Sequence, residues 1–408
     1  MANGDQNKKQ AKKASSSKQK AEREYASKAF GAAQSAARAT KGNRRSNRAK
    51  KQSALVFVVV ILLCLVCGLY YFDIPPLNFT LGNLPKYQKP SEPILSEGTL
   101  KIHFIDVGQG DSIFLQFPDG TNMLIDGGKN RNDVAEAILT YLNQLSVTRI
   151  DTLMLTHTDE DHCGSLDNVI ASEIYVANVW MPKIKSLYEN DPLKDETKLP
   201  NGSDITVKET AVYRDFVKAV VEEGSKIHYT YEGDTLVAET KDYQFAFYTP
   251  NDELYSKIST AADKNNVSPI GILTFNGKKV CFTGDGDKAD EQAFLKYTSE
   301  NGIDTDVDVL KVGHHGGQES TNQDFLDAVR PEYSVISVGA GNSYGHPRPA
   351  LLERLSNIGS EVYRTDLNGN IVLTITKEGL SWQTEKEQSA GVVAFPPLQR
   401  GGVFALCA

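Results

Sequence analysis

The sequence predicts an α/β protein whose sheets are flanked by helices, and three observations carry that prediction. From about Leu100 onward, short apolar runs alternate with stretches of helical period. The first runs form hairpins around glycine turns, whereas later ones alternate with helical segments, an order that places helices over the faces of sheets. Apolar content of 40% and charged content of 24% fit a chain with a real core and exclude collagen-like, coiled-coil and wholly disordered classes. At 408 residues there is room for two or three domains of about 150 residues each.

Leu100–Val107 and Ile113–Phe117 read as strands around a Gly108–Asp111 turn, and Asn122–Asp126 as a third, closed by Gly127 and Gly128. Val134, Ile138, Tyr141 and Leu142 recur at helical spacing, and Thr152–Leu155 is a buried strand. Ala211–Glu223 has a helical pattern and Tyr243–Tyr248 alternates as a strand. Ile272–Phe275 and Lys279–Phe282 flank Asn276-Gly277, a hairpin signal because both residues tolerate positive φ. Asp308–Val312 and Tyr333–Val338 are further strands, with a short helix around Phe325, Leu326 and Val329 between them. Residues 184–210 are polar and turn-rich and read as an insertion, residues 385–408 carry no assignable pattern, and no solenoid repeat is present.

The N-terminal quarter is different. The net charge of −8 divides into about +12 over residues 1–53 and −20 over the rest. Residues 1–53 have almost no aliphatic side chains and are expected to be disordered. Ala54–Phe72 is uncharged and apolar, close to the ~20 residues a membrane span needs. Arg48, Lys50 and Lys51 precede it and Asp73 follows, so the positive-inside rule places the tail in the cytoplasm and the remainder outside the cell membrane. An uncleaved single-pass anchor is favoured over a signal peptide, because no small-x-small site follows Phe72. Residues 73–97, with five prolines, read as an extended stalk. Cys163 and Cys281 lie in the body, where one disulfide is conceivable but not readable from sequence.

The chain holds seven histidines, five of which lie just past strand ends among acids and glycines. The densest stretch is His157-Thr158-Asp159-Glu160-Asp161-His162, which places four ligand-type side chains in six positions after a buried strand. Imidazole with carboxylate and no thiolate suits Zn, Mn or Fe at a catalytic site. Asp285 enters after another strand, where its carboxylate can bridge two cations; His314 and His315 follow a third strand, and His346 a fourth. Two metals held this way can polarise a scissile group and lower the pKa of a water between them. His103 alternates along a strand and reads as structural, and His228 is isolated. For Asp106 and Asp111, turn capping and a direct role stay open.

His157–His162 resembles the HxHxDH motif of the metallo-β-lactamase superfamily, with Asp159 in place of the second His. With 104–112 (FIDVGQGDS), 124–128 (LIDGG), 283–285 (TGD), 310–316 (LKVGHHG) and 344–347 (YGHP), the chain resembles the extracellular hydrolase domain of ComEC-type DNA-uptake proteins over roughly 99–382. The resemblance implies an αββα four-layer sandwich with a dimetal site at one edge, occupying 98–384. It implies His157, Asp159 and His314 on one metal, Asp161, His162 and His346 on the other, and Asp285 bridging. The usual third-motif His has no match except the isolated His228, so His314 is expected in its place. Gly317 and Ser165 depart from the family pattern, and one span stands where those proteins carry a multi-span channel.

The expected function is that of a membrane-anchored dimetal hydrolase using two Zn or Mn ions. Phosphodiesters are the favoured substrates, DNA or a cell-wall polymer among them. Asp161, Asp285 and His315 are the expected catalytic residues, His315 as proton donor or oxyanion contact. The acidic body disfavours long contact with a polyanion unless Lys129, Arg131, Lys311 and Arg348 form a basic patch. The alternatives are a lactam, lactone or thioester hydrolase, a non-catalytic accessory of an uptake or envelope complex, and nucleic-acid binding by the basic tail.

Overall fold

The computed structural model describes residues 98–184, 210–237, 243–258 and 262–387. The basic tail, the apolar segment 54–72, the Pro-rich stretch 73–97, nearly all of the 184–210 insertion and residues 388–408 lie outside the described residues. Among the described residues no helix is long and apolar enough to cross a membrane.

Fifteen strands are described: β1 (Leu100–Phe104), β2 (Ile113–Gln116), β3 (Asn122–Ile125), β4 (Arg149–Met154), β5 (Tyr175–Met181), β6 (Lys226–Tyr229), β7 (Thr235–Val237), β8 (Tyr243–Phe247), β9 (Gly271–Phe275), β10 (Lys278–Phe282), β11 (Val309–Lys311), β12 (Tyr333–Ile336), β13 (Glu361–Arg364), β14 (Ile371–Thr376) and β15 (Gly379–Thr384). They form an eight-stranded sheet, β15-β14-β1-β2-β3-β4-β5-β6, and a seven-stranded sheet, β13-β12-β11-β10-β9-β8-β7. Each sheet starts from antiparallel pairs and ends in parallel strands: β3 to β6 in the first, β10 to β13 in the second.

Alternation along the strands divides the core into three. Ile113, Leu115, Met123, Ile125 and Met154 of the first sheet meet Phe245, Leu273, Val280, Phe282 and Val309 of the second in a central layer. Their neighbours Phe114, Leu124 and Leu153 point outward under the helices Asn132–Gln144, Leu166–Ile170 and Ala211–Glu223. On the other side Ile272, Cys281, Leu310 and Ile336 meet the helices Lys288–Glu300, Gln323–Val329 and Pro349–Asn357. A strand side chain reverses face at every residue, so one strand serves two cores. The result is the four-layer αββα sandwich.

Local chemistry accounts for the elements. In Ala211–Glu223 the buried residues Tyr213, Phe216, Val217 and Val220 follow the i, i+3, i+4, i+7 rule. Thr210 Oγ1 accepts the Tyr213 N–H at 3.2 Å, and Gly224 closes the helix at φ 79°. Asn276 and Gly277 both take positive φ, 52° and 74°, as a tight turn between β9 and β10 demands. Strands β5, β6, β7 and β13 to β15 and the helices Lys288–Glu300 and Pro349–Asn357 had no distinct sequence signal. Most of their sequences mix polar residues into the apolar period, whereas β14 alternates buried Ile371, Leu373 and Ile375 with half-buried neighbours. Cys163 and Cys281 are both free and buried in different cores, so the conceivable disulfide does not form.

Candidate metal centre

The chemistry-bearing loops leave the C-terminal ends of β3, β4, β10, β11 and β12, which the two-sheet topology brings to one rim. After β3 the chain turns at Asp126, which is fully buried and held at φ 60°. Its Oδ1 accepts the Thr156 N–H at 2.8 Å, and its Oδ2 accepts the Thr156 hydroxyl and His162 Nδ1–H, each at 2.7 Å. Because Thr156 Oγ1 spends its proton on Asp126, it can only accept from His157 Nδ1, 3.2 Å away. Both imidazoles are thereby fixed with Nε2 facing the centre. His315 is fixed likewise, by donating from Nδ1 to the Ser337 carbonyl at 2.9 Å. This is how proteins orient metal-ligating histidines.

The Nε2 atoms converge on Asp285, whose Oδ2 is 3.1 Å from His162, 3.5 Å from His315, 3.8 Å from His314 and 3.9 Å from His157. Asp285 Oδ1 and His157 Nε2 are buried without a hydrogen-bond partner. A polar atom left so is costly, and ion coordination is one use that repays it. Asp161 Oδ2 lies 3.6 Å from His315 Nε2, and Asp159 Oδ2 lies 3.9 Å from His157 Nε2. The donor set of imidazole and carboxylate therefore fits a divalent metal ion.

Electrostatics point the same way. Burial opposes ionisation of Asp285, yet the neighbouring imidazoles of His162 and His315 hold its carboxyl well below the usual range. Burial likewise opposes charge on His162, but Asp285 and Asp126 lift it well above its ordinary value, and Asp285 and Asp111 lift His315 to about 10. Burial and the His162 charge push His157 down. Asp161, despite burial, is drawn down to about 2 by His315 and His162. The carboxylates are thus favoured in the ionised form that binds a cation, and a cation at this place would compete with protons for the imidazole nitrogens.

The structure brings His157, Asp159, Asp161, His162, Asp285, His314 and His315 together. His315, not His346, is the neighbour of Asp161 and His162. His346 stands beside His314, ring centroids 5.7 Å apart and nearly perpendicular, with Tyr344 on its other side at 5.8 Å. His314 and His315 take consecutive left-handed conformations, φ 49° and 53°, which splay one side chain outward and bury the other. Such strain is tolerated where a site needs it. His228 is on β6 stacked against Trp180 at 4.9 Å, and His103 bonds Tyr141 and Gln116 from the first sheet.

Sequence reasoning left Asp111 open, placed Lys311 in a surface patch, and missed Asp126 and Lys264. Asp111, Lys311 and Lys264 are buried, and Asp111 joins His162, Asp285 and His315 in a cluster whose ligand atoms lie within 4.8 Å of one another. Asp111 Oδ2 is 2.7 Å from Lys311 Nζ, and Oδ1 is 3.4 Å from His315 Nδ1, so the carboxylate backs His315 from behind. Lys311 therefore cannot belong to a surface patch, and Arg131 is spent on Asp133. Lys129 remains at the rim, its ammonium 5.6 Å from the ring centre of the exposed Tyr344. A lysine in the buried strand β11 was the signal available for Lys311; Lys264 sits in a polar run that gave none.

Residues 105–241 match the family model of the metallo-beta-lactamase superfamily. The chain carries a metallo-beta-lactamase domain. It is 31% identical over 291 residues to ComE operon protein 3 of Bacillus subtilis, covering 68% of this chain and 33% of that protein. Recombination protein 2 of Haemophilus influenzae is 28% identical over 293 residues, covering 71% and 30%. Competence protein ComA of Neisseria gonorrhoeae is 28% identical over 286 residues, covering 68% and 33%. The chain thus spans about a third of the length of the curated relatives it matches.

Proposed function

We propose that this chain is a dimetal phosphodiesterase, anchored by residues 54–72 with the catalytic domain outside the cell membrane. The observation that carries the reading is Asp285 Oδ2, with four imidazole nitrogens between 3.1 and 3.9 Å around it. His157, Asp159 and His314 would hold one cation, Asp161, His162 and His315 the other, with Asp285 between them. Two divalent cations, Zn or Mn, would polarise the phosphodiester and activate water.

The chain's own residues do the rest. Asp126, Thr156 and the Ser337 carbonyl fix the imidazoles in advance, so no reorganisation is needed when charge develops. Burial with His314, His315 and Arg348 nearby pulls His346 down to about 4, so at neutral pH it offers a lone pair and not a proton. It therefore acts beside His314 as a further donor or an orienting contact. Tyr344 and Lys129 give the rim a ring face and a cation, the pairing that single-stranded nucleic acid uses. With the competence relatives, this favours a DNA strand over a cell-wall polymer.

The test uses the full-length chain loaded with Mn or Zn, and bis-p-nitrophenyl phosphate and a single-stranded oligonucleotide as substrates. Metal content is measured on wild type, Asp161→Ala and Asp285→Ala. Turnover that needs both aspartates and about two metals per chain supports the reading. Bound metal with hydrolysis of nitrocefin or a lactone, and none of diesters, transfers the site to carbonyl substrates. Absence of bound metal ends the catalytic assignment.

A further inference from the structure

Lys264 is 1% exposed, although a lysine loses both hydration and rotamer freedom on burial. It lies on the 3₁₀ turn Ala262–Val267 that leads into β9, and its ammonium is 3.2 Å from Asp159 Oδ1. The other oxygen of the same carboxylate, Oδ2, is the one that approaches His157 Nε2 at 3.9 Å. Asp159 is also the position where this sequence carries an acid in place of the second His of HxHxDH. An imidazole there would be neutral and would need no countercharge. A carboxylate adds a negative charge and a freely rotating group to a rim already holding Asp161 and Asp285.

We propose that Lys264 is the positioning residue for Asp159. Its ammonium takes one carboxylate oxygen, fixes the rotation of the group and turns the other oxygen toward His157. It also cancels the charge that the acid adds, as Lys311 does for Asp111 on the far side of the centre. Lysine and aspartate thus form a linked pair, and each is out of place without the other. The inference rests on the reading that the rim holds two cations and goes beyond it by naming what makes an aspartate serviceable at this place.

The test measures cation affinity and stoichiometry by competition with a chelator, using the full-length chain and Zn or Mn alone. Circular dichroism of the metal-stripped proteins checks folding. Lys264→Met is expected to weaken one cation by roughly 10–100-fold and leave the second unchanged, the range seen for groups that orient metal ligands. Lys264→Arg keeps both. Asp159→His alone loses the same cation, because the ammonium then faces an imidazole. Combined with Lys264→Met, Asp159→His recovers affinity to within about threefold of wild type, a non-additivity that marks direct coupling. Wild-type affinity for both cations in Lys264→Met overturns the proposal. So does a double variant no better than its worse parent. If Lys264→Met fails to fold, Asp159→His decides: unchanged binding of both cations overturns the pairing. A wild-type chain that binds no cation brings down the two-cation reading and this inference together, whereas the other outcomes touch only the inference.

Discussion

Asp126 and Asp285 hold the same place in the two sheets. Each follows the second strand of an antiparallel pair, β2–β3 or β9–β10, whose next neighbour runs parallel. Their uses differ. Asp126 has both oxygens saturated by Thr156 and His162. Asp285 has its backbone N–H on Ser268 Oγ at 3.2 Å, one oxygen without a partner and the other among imidazoles. The loop after β4 brings an amide, a hydroxyl and His162 Nδ1 down onto Asp126, while the loops after β4 and β11 each bring two imidazole Nε2 atoms to Asp285. An acid at a strand end becomes a buttress or a ligand according to the donors gathered around it.

The sharpest way to break this comparison is to neutralise each acid in turn. Asp285→Asn is expected to remove cation binding at both places and lower diester hydrolysis at least ~10³-fold, about 4 kcal/mol of barrier, read by metal content and initial rates. A loss confined to one cation would make Asp285 a ligand of that cation alone. Next comes Lys311→Met, which leaves Asp111 buried without its partner. It should cost about 3–5 kcal/mol in urea unfolding of the metal-stripped chain, largely restored by adding Asp111→Asn.

His103 tests an imidazole of the first sheet that lies off the rim. Burial, partly offset by its hydrogen bond to Gln116, lowers it from 6.5 to about 4. The unfolded chain therefore takes up the proton first. Its contribution is fully present above about pH 6.5 and is lost as pH falls through 4, about 3 kcal/mol in all. His103→Gln should flatten that part of the stability profile, and an unchanged slope would assign it to other groups. Asp126→Asn is the mildest change. Asparagine can still accept from His162 Nδ1, so cation affinity should fall only 10–100-fold with stoichiometry kept. A loss as complete as that of Asp285→Asn would erase the distinction between buttress and ligand.

The ligand cluster was legible where its members are contiguous. His157 to His162 crowd into one turn after a buried strand, and a hairpin with Asn276-Gly277 announces the second sheet. The pairing of His315 with Asp161 and His162 was not legible, because adjacent histidines differ only in which backbone dihedral sends them inward. The residues that serve the ligands were harder still. Asp126 reads as a turn acid beside Gly127, and Lys264 as one more polar residue in a loop. What makes each useful is a contact across more than thirty positions of chain, from Asp126 to His162 or from Asp159 to Lys264. Edge strands such as β6 and β13 carry mixed patterns because only one face meets a core.

The two thiols of the folded domain give the fold an indifference to its chemical surroundings. Cys163 sits under the helices of the first sheet and Cys281 under those of the second, each completely enclosed. Burial pushes both thiols up, so neither supplies the thiolate that attacks disulfides and reacts with oxidants. Among the described residues no disulfide ties the layers together, since the two thiols lie in different cores. The sandwich therefore holds the same shape in an oxidising medium as in a reducing one, its two halves joined by packing and by whatever ions the rim retains.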